Sequence, residues 1–146
     1  MNKSILSFVA AGTMAVMMAG CNRAESPSEV TEDVAEAQAD RAESVQDARI
    51  DQAQVAANTG GDVVSGNPDD RGAAIEDRAE AAYNTAVAVA KGDHDVAQQG
   101  CEALKGDAQA SCKKSAEASY EAAKSSAQVA LNQARESGDA TKKLDN

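Results

Sequence analysis

Large apolar side chains are scarce in this chain after its first twenty residues, and that scarcity limits what it can fold into. Of the 126 residues after position 20, only 15 are Val, Ile, Leu, Met or Phe. Alanine dominates instead, with 33 copies in the whole sequence. A segment with so few large apolar residues and a high net charge cannot bury a thick core. The composition therefore excludes a conventional globular enzyme domain.

The same segment is strongly acidic. All 24 Asp and Glu residues and 13 of the 14 Lys and Arg residues follow position 20, which gives a formal net charge of −11. Such a chain repels phosphate backbones, so we expect no nucleic-acid partner. The sequence also lacks the phosphate-binding loops, nucleophile elbows and zinc-protease motifs of common enzymes. We therefore predict a protein that is not an enzyme and that holds no cofactor and no metal.

The first twenty residues predict export from the cell interior. Lys3 provides a short positive start, and residues 5–18 form a mostly apolar stretch of 14 residues. This length suits the core of a signal peptide and is shorter than the ~20 residues that a membrane-spanning helix needs. We expect residues 1–20 to be cleaved.

The cleavage site carries a recognisable motif. Met18-Ala19-Gly20-Cys21 resembles the lipobox of bacterial lipoproteins. The resemblance implies that Cys21 becomes the lipidated N-terminus and that residues 21–27 form a tether. The acyl chains would hold the protein on a membrane, since each buried CH₂ contributes about 0.8 kcal/mol. Asn22, where inner-membrane lipoproteins carry Asp, implies an outer-membrane location facing the periplasm.

The remaining sequence predicts an all-α fold of extended alanine-rich helices, because Ala, Glu, Lys, Arg and Gln all favour helices. Ser26-Pro27-Ser28-Glu29 has the pattern of a capping box with proline at the first helical position. We predict a helix over 28–57, partly frayed because its inner stripe is thin, and a flexible glycine-rich linker over 58–68. The stripe consists of Val30, Val34, Ala37, Arg41, Val45, Ala48, Gln52 and Val55.

A second helical region is predicted over 69–137, with Asn67 as its cap and Pro68 after it. Gly-Asp pairs at 92–93, 106–107 and 138–139 predict helix ends, since Gly favours the position after a helix and Asp favours the next N-cap. They divide this region into three helices and leave a polar tail over 138–146. The inner stripe of the first consists of Ile75, Ala79, Ala82, Ala86 and Val89.

Two cysteines remain once Cys21 is set aside. Cys101 and Cys112 lie symmetrically about Gly106-Asp107, so a helical hairpin turning there would bring them face to face. An exported protein occupies an oxidising compartment, and we predict a disulfide between them. Metal binding and redox catalysis are the alternatives, but zinc takes three or four protein ligands and redox sites use C-x-x-C. His94, the one histidine, is expected to be a solvated surface residue.

The segment around these cysteines, residues 95–125, carries a second resemblance. Its pattern C-x-x-L-x-G-x-A-x-x-x-C, running from Cys101 to Cys112, resembles a set of small alanine-rich exported proteins of proteobacteria. Those proteins have no assigned activity. The resemblance implies export and a helical hairpin.

Two functions are compatible with these features. The first is a cell-envelope lipoprotein with a structural or interaction role, whose helices meet a second copy or an envelope protein. The alternative is a hydrophilic stress protectant, because the Ala-, Glu- and Lys-rich segment from Glu121 to Lys143 resembles late-embryogenesis-abundant proteins.

Overall fold

The computed structural model describes residues 24–64 and 66–143, and within them the chain is all-α, as the sequence predicts. The predicted signal peptide, the predicted lipidation site Cys21 and residues 144–146 lie outside the described part. Four helices follow one another along the chain: α1 (Pro27–Asn58), α2 (Gly60–Val64), α3 (Pro68–Cys101) and α4 (Gly106–Lys142). Since α1, α3 and α4 have 32, 34 and 37 residues, each is about 50 Å long.

The two predicted helix starts are confirmed. At α1, the Ser26 side chain accepts from the Glu29 N–H, and the Glu29 carboxylate accepts from the Ser26 N–H at 2.8 Å. At α3, the Asn67 side chain accepts from the Asp69 N–H at 3.0 Å. Each cap satisfies backbone donors that the first helical turn leaves without an intrahelical partner.

The end of α1 is capped from a neighbouring helix. Arg78 of α3 donates through Nε to Thr59 Oγ1 at 2.7 Å and through a terminal nitrogen to the Ala56 carbonyl at 3.0 Å. A guanidinium there complements the partial negative charge of a helix C-terminus. The segment 58–68, predicted as a flexible linker, holds this cap and the short helix α2.

The turn between α3 and α4 lies where the sequence places it. Gly106 has φ +55°, a left-handed conformation that glycine adopts without steric cost. The details differ, because α3 ends at Cys101, four residues earlier than predicted, and Lys105 precedes α4 in place of an Asp107 cap. Asp107 instead lies in the first turn of α4.

The other two predicted glycine boundaries are wrong. Helix α3 continues through Gly92-Asp93, and α4 continues through Gly138-Asp139 to Lys142, so residues 138–142 are helical and not tail. A Cβ at Gly92 would overlap the Arg41 side chain of α1. A Cβ at Gly138 would come within 2.8 Å of the Gly72 carbonyl oxygen. These glycines allow helices to approach closely and do not end them.

The three long helices form one layer, with α3 in the middle. Helix α3 contacts α1 along one side and α4 along the other, and no α1–α4 contact occurs within the described ranges. The contact positions on α3 explain this: Thr85 and Gly92 meet α1, whereas Gly72 and Cys101 meet α4. These two pairs lie on nearly opposite sides of the helix at 3.6 residues per turn.

The predicted inner stripe of α1 is confirmed, because all eight of its residues are buried or half-buried. The stripe predicted for α3 is wrong at its centre, where Ala82 and Ala86 are exposed. The buried positions of α3 are Gly72, Ala74, Ala81, Ala90, Gly92 and Cys101. They face the two neighbouring helices, whereas Ala82 and Ala86 face out of the layer.

We expect Gly72→Ala to lower the free energy of unfolding by about 1–3 kcal/mol, because the new Cβ would come within 2.7 Å of the Gly138 carbonyl oxygen. Gly100→Ala is the control: Gly100 is exposed in the same helix, and a Cβ there has no atom within 4 Å. It should stabilise by about 0.5–1 kcal/mol through helix propensity. Urea titrations followed by circular dichroism compare the two. Equal effects of the two substitutions would contradict close α3–α4 packing at Gly72.

Candidate functional site: the two faces of the helix layer

The disulfide lies at one end of the α3–α4 pair. Cys101 and Cys112 are bonded, their Cα atoms are 5.7 Å apart, and Cys101 is fully buried. The predicted pairing is thus present in the structure. A thiolate would be needed for metal binding or nucleophilic attack, and neither sulfur provides one in this state. The pair therefore acts as a covalent staple between two helices.

We expect reduction of this bond to lower the free energy of unfolding by roughly 2–3 kcal/mol, because the loop that it closes constrains the unfolded chain. The double variant Cys101→Ala, Cys112→Ala should match the reduced wild-type protein. Urea titrations with and without reductant measure the difference. Identical midpoints for the oxidised and reduced protein would show that the staple adds no stability.

His94 is not the solvated residue that the sequence predicts, since its side chain is only 19% exposed. Its Nε2 lies 3.0 Å from the Glu117 carboxylate of α4, and its Nδ1 lies 3.2 Å from the Asp95 carboxylate. Its ring also packs against Tyr120, with centroids 5.4 Å apart. Carboxylates flank both ring nitrogens, and the Gln98 side-chain nitrogen also lies 3.1 Å from Nε2. His94 therefore links α3 to α4.

Asp95 carries the clearest electrostatic effect in this cluster. The Lys91 ammonium donates to Asp95 Oδ2 at 2.6 Å, and this hydrogen bond lowers the pKa of the Asp95 carboxyl below its usual range. The same bond raises the pKa of Lys91. A carboxyl whose pKa falls on folding stabilises the folded state above its unfolded pKa, and that contribution is lost as pH drops through the folded value.

We therefore expect Asp95→Asn to reduce stability at pH 7 and to match the wild-type protein at pH 2. The loss at pH 7 should be about 0.3–0.5 kcal/mol, since the Lys91 and Asp95 side chains are 69% and 44% exposed to screening water. Glu136→Gln, at an exposed position of α4, is the control and should change neither value. A deficit that persists at pH 2 would show that the effect is not electrostatic.

One face of the layer is acidic. We call it the acidic face and define it by Asp33, Glu36, Asp40, Glu43 and Asp51 of α1 with Asp77, Glu80 and Asp95 of α3, which line two grooves between these helices. Only Arg41 and Lys91 oppose these carboxylates within the same grooves. The acidic face therefore repels anionic surfaces and other copies of itself.

The opposite face is apolar. We call it the apolar face and define it by Ile50 of α1 with Ile75, Ala82, Ala86 and Val89 of α3. Ile50 is 46% exposed, and Ala82 and Ala86 are also exposed. A groove of about 550 Å³ runs between the two helices here. Its lining contains no carboxylate and consists of apolar residues together with Arg41, Gln46 and Arg49. The sequence predicts the α3 residues of this face as part of the inner stripe, because they are apolar and recur at helical spacing.

Helix α4 continues the apolar face with small residues whose hydroxyls are already bonded. Ser119, Ser126, Ser137 and Thr141 each donate to the carbonyl four residues earlier in α4, at 2.9–3.0 Å. These side chains lie on the side of α4 away from Arg135, which reaches the acidic face at Glu80. The hydroxyl proton of each residue is therefore used within the helix, and only the oxygen remains as an acceptor on this side.

The described residues form neither a metal-binding cluster nor a membrane-spanning helix. No group of three His, Cys, Asp or Glu side chains there is arranged to hold a metal ion. None of the described helices combines the length and apolarity that crossing a membrane requires.

Comparison with known proteins gives no relative. No protein-family profile, no curated protein and no solved structure matches this chain.

Proposed function

We propose that this chain is a lipid-anchored protein of the cell envelope, held through Cys21, whose helix layer has a structural or interaction role without catalysis. The observation that carries the proposal is the lipobox sequence Met18-Ala19-Gly20-Cys21 at the end of a signal-like segment. The outer membrane, facing the periplasm, is the location that Asn22 favours.

The architecture supports an interaction role. A three-helix layer leaves both faces of α3 open, so the chain offers more surface than a closed bundle of the same length. The two faces differ in kind, one acidic and one apolar, which suits a protein that contacts different surroundings on its two sides. A disulfide between α3 and α4 also suits the oxidising compartment that the proposal assigns.

Contacts between distant segments support a structural role over the stress-protectant alternative. Arg41 donates to Asp93 at 2.6 Å, Thr85 donates to the Ala48 carbonyl at 3.1 Å, and the disulfide joins α3 to α4. A protectant that stays disordered in water would not hold segments this far apart in sequence in fixed contact. Circular dichroism of the oxidised protein in dilute buffer separates the two: a helical spectrum favours the structural role, and a coil spectrum that becomes helical on drying favours the protectant.

The anchor is tested by metabolic labelling. Cells that express the chain and receive labelled palmitate should incorporate label into the protein, and Cys21→Ala should abolish it because the acceptor thiol is gone. Cys101→Ala combined with Cys112→Ala is the matched control, since it removes the other two cysteines and should keep the label. Label that persists in Cys21→Ala, or that is absent from the unchanged protein, would end the proposal.

A further inference from the structure

We infer that the apolar face binds a second copy of this chain, with the two α3 helices antiparallel about a two-fold axis at Ala82. This inference deepens the interaction role proposed above and rests on it. The acidic face and the apolar face differ in how they would interact with a second copy. The carboxylates of the acidic face repel a second such face. The groove along the apolar face contains no carboxylate and two arginines, Arg41 and Arg49, of which Arg41 is bound to Asp93.

The order of residues along α3 is self-complementary. On the side that faces out of the layer, the helix presents Arg71, Ile75, Ala82, Val89 and Asp93 in turn. In an antiparallel pair centred on Ala82, Arg71 lies opposite Asp93 of the second copy, and Ile75 lies opposite Val89. A two-fold interface repeats each contact, so the charge pair and the apolar pair each form twice.

The charges at the two ends fit this arrangement. Arg71 has no salt bridge within the described residues, whereas Asp93 is bound on one side by Arg41 and its side chain remains 59% exposed. The open side of that carboxylate can accept a second guanidinium. A parallel pair would instead place Arg71 against Arg71 and Asp93 against Asp93, which like-charge repulsion disfavours.

The flanking helices also present suitable residues at the axis. Because Thr85 bonds to Ala48, the position of α1 level with Ala82 lies close to Ile50. Because Glu80 pairs with Arg135 at 3.6 Å, the position of α4 level with Ala82 lies close to Ala130. An exposed isoleucine, with Arg49 next to it, and two alanines therefore lie in a row across the layer near the axis.

The area is sufficient for a stable pair. The stripe from Arg71 to Asp93 is about 33 Å long, and three helices side by side are about 25 Å wide. Their product is about 800 Å² on each copy, which is the size of a standard stable protein–protein interface.

Cysteine cross-linking of the purified full chain carrying Cys21→Ala tests this pairing, because that change removes the one thiol outside the Cys101–Cys112 disulfide. Ala82→Cys places a thiol on the proposed axis, and mild oxidation should convert most of the protein to a disulfide-linked dimer on a non-reducing gel. Ala73→Cys is the matched control, since Ala73 is also an exposed alanine of α3 but lies on the acidic side. It should give at least fivefold less dimer.

A charge change at the end of the stripe then tests the register. Arg71→Glu should reduce the Ala82→Cys cross-link severalfold, because it places a carboxylate opposite Asp93, whereas Arg71→Lys should keep it. Circular dichroism confirms that each variant remains helical. Equal cross-linking at positions 73 and 82, no cross-linking at 82, or no effect of Arg71→Glu would overturn the inference.

This test is separate from that of the lipid anchor. Loss of palmitate labelling would remove the envelope assignment and leave the cross-linking result standing. Absence of the cross-link with labelling intact would remove the self-pairing and leave the anchored protein, whose apolar face would then need another occupant.

Discussion

Close approach of helix backbones is the constraint on which this structure depends. With so few large side chains, α3 packs on its neighbours through Gly72, Ala74, Ala81, Ala90 and Gly92. Each such residue buries little apolar area, and the hydrophobic contribution is roughly proportional to that area. Helices joined in this way need further links, and the links lie along both seams: a disulfide and His94–Glu117 towards α4, and Arg41–Asp93 and the Arg78 cap towards α1.

The same constraint explains why the helices form a layer. A closed three-helix bundle needs side chains large enough to fill the space where the three helices meet. Alanine and glycine fill a two-helix seam but leave such a central space empty, and empty space in a core is costly. Placing α3 between two neighbours that do not touch avoids a central space altogether.

The sequence predicted those features that depend on local chemistry. Helix caps at Ser26 and Asn67, a turn between two helices at Gly106 and the inner stripe of α1 each require a particular residue at a particular spacing, and each is confirmed. Prediction from the sequence was wrong where one residue type can have two structural roles. Gly92 and Gly138 look like helix ends in the sequence, but they provide room for the neighbouring chain. Similarly, the Ile75–Val89 stripe looks like core, because periodicity shows that a face is apolar and does not show what covers it.

The course of the chain through the layer has a consequence for how such a protein would lie on a membrane. The backbone N–H of Glu25 donates to the Glu102 carbonyl at 3.2 Å, so the chain enters α1 beside the α3–α4 turn. Cys21 is only four residues from Glu25, a reach of at most about 14 Å. In an antiparallel pair about Ala82, the two entry points lie at opposite ends of the assembly, about 60 Å apart, and both lie along its α1 edge. Two lipids attached at these points would hold the helix axes parallel to the bilayer surface rather than perpendicular to it.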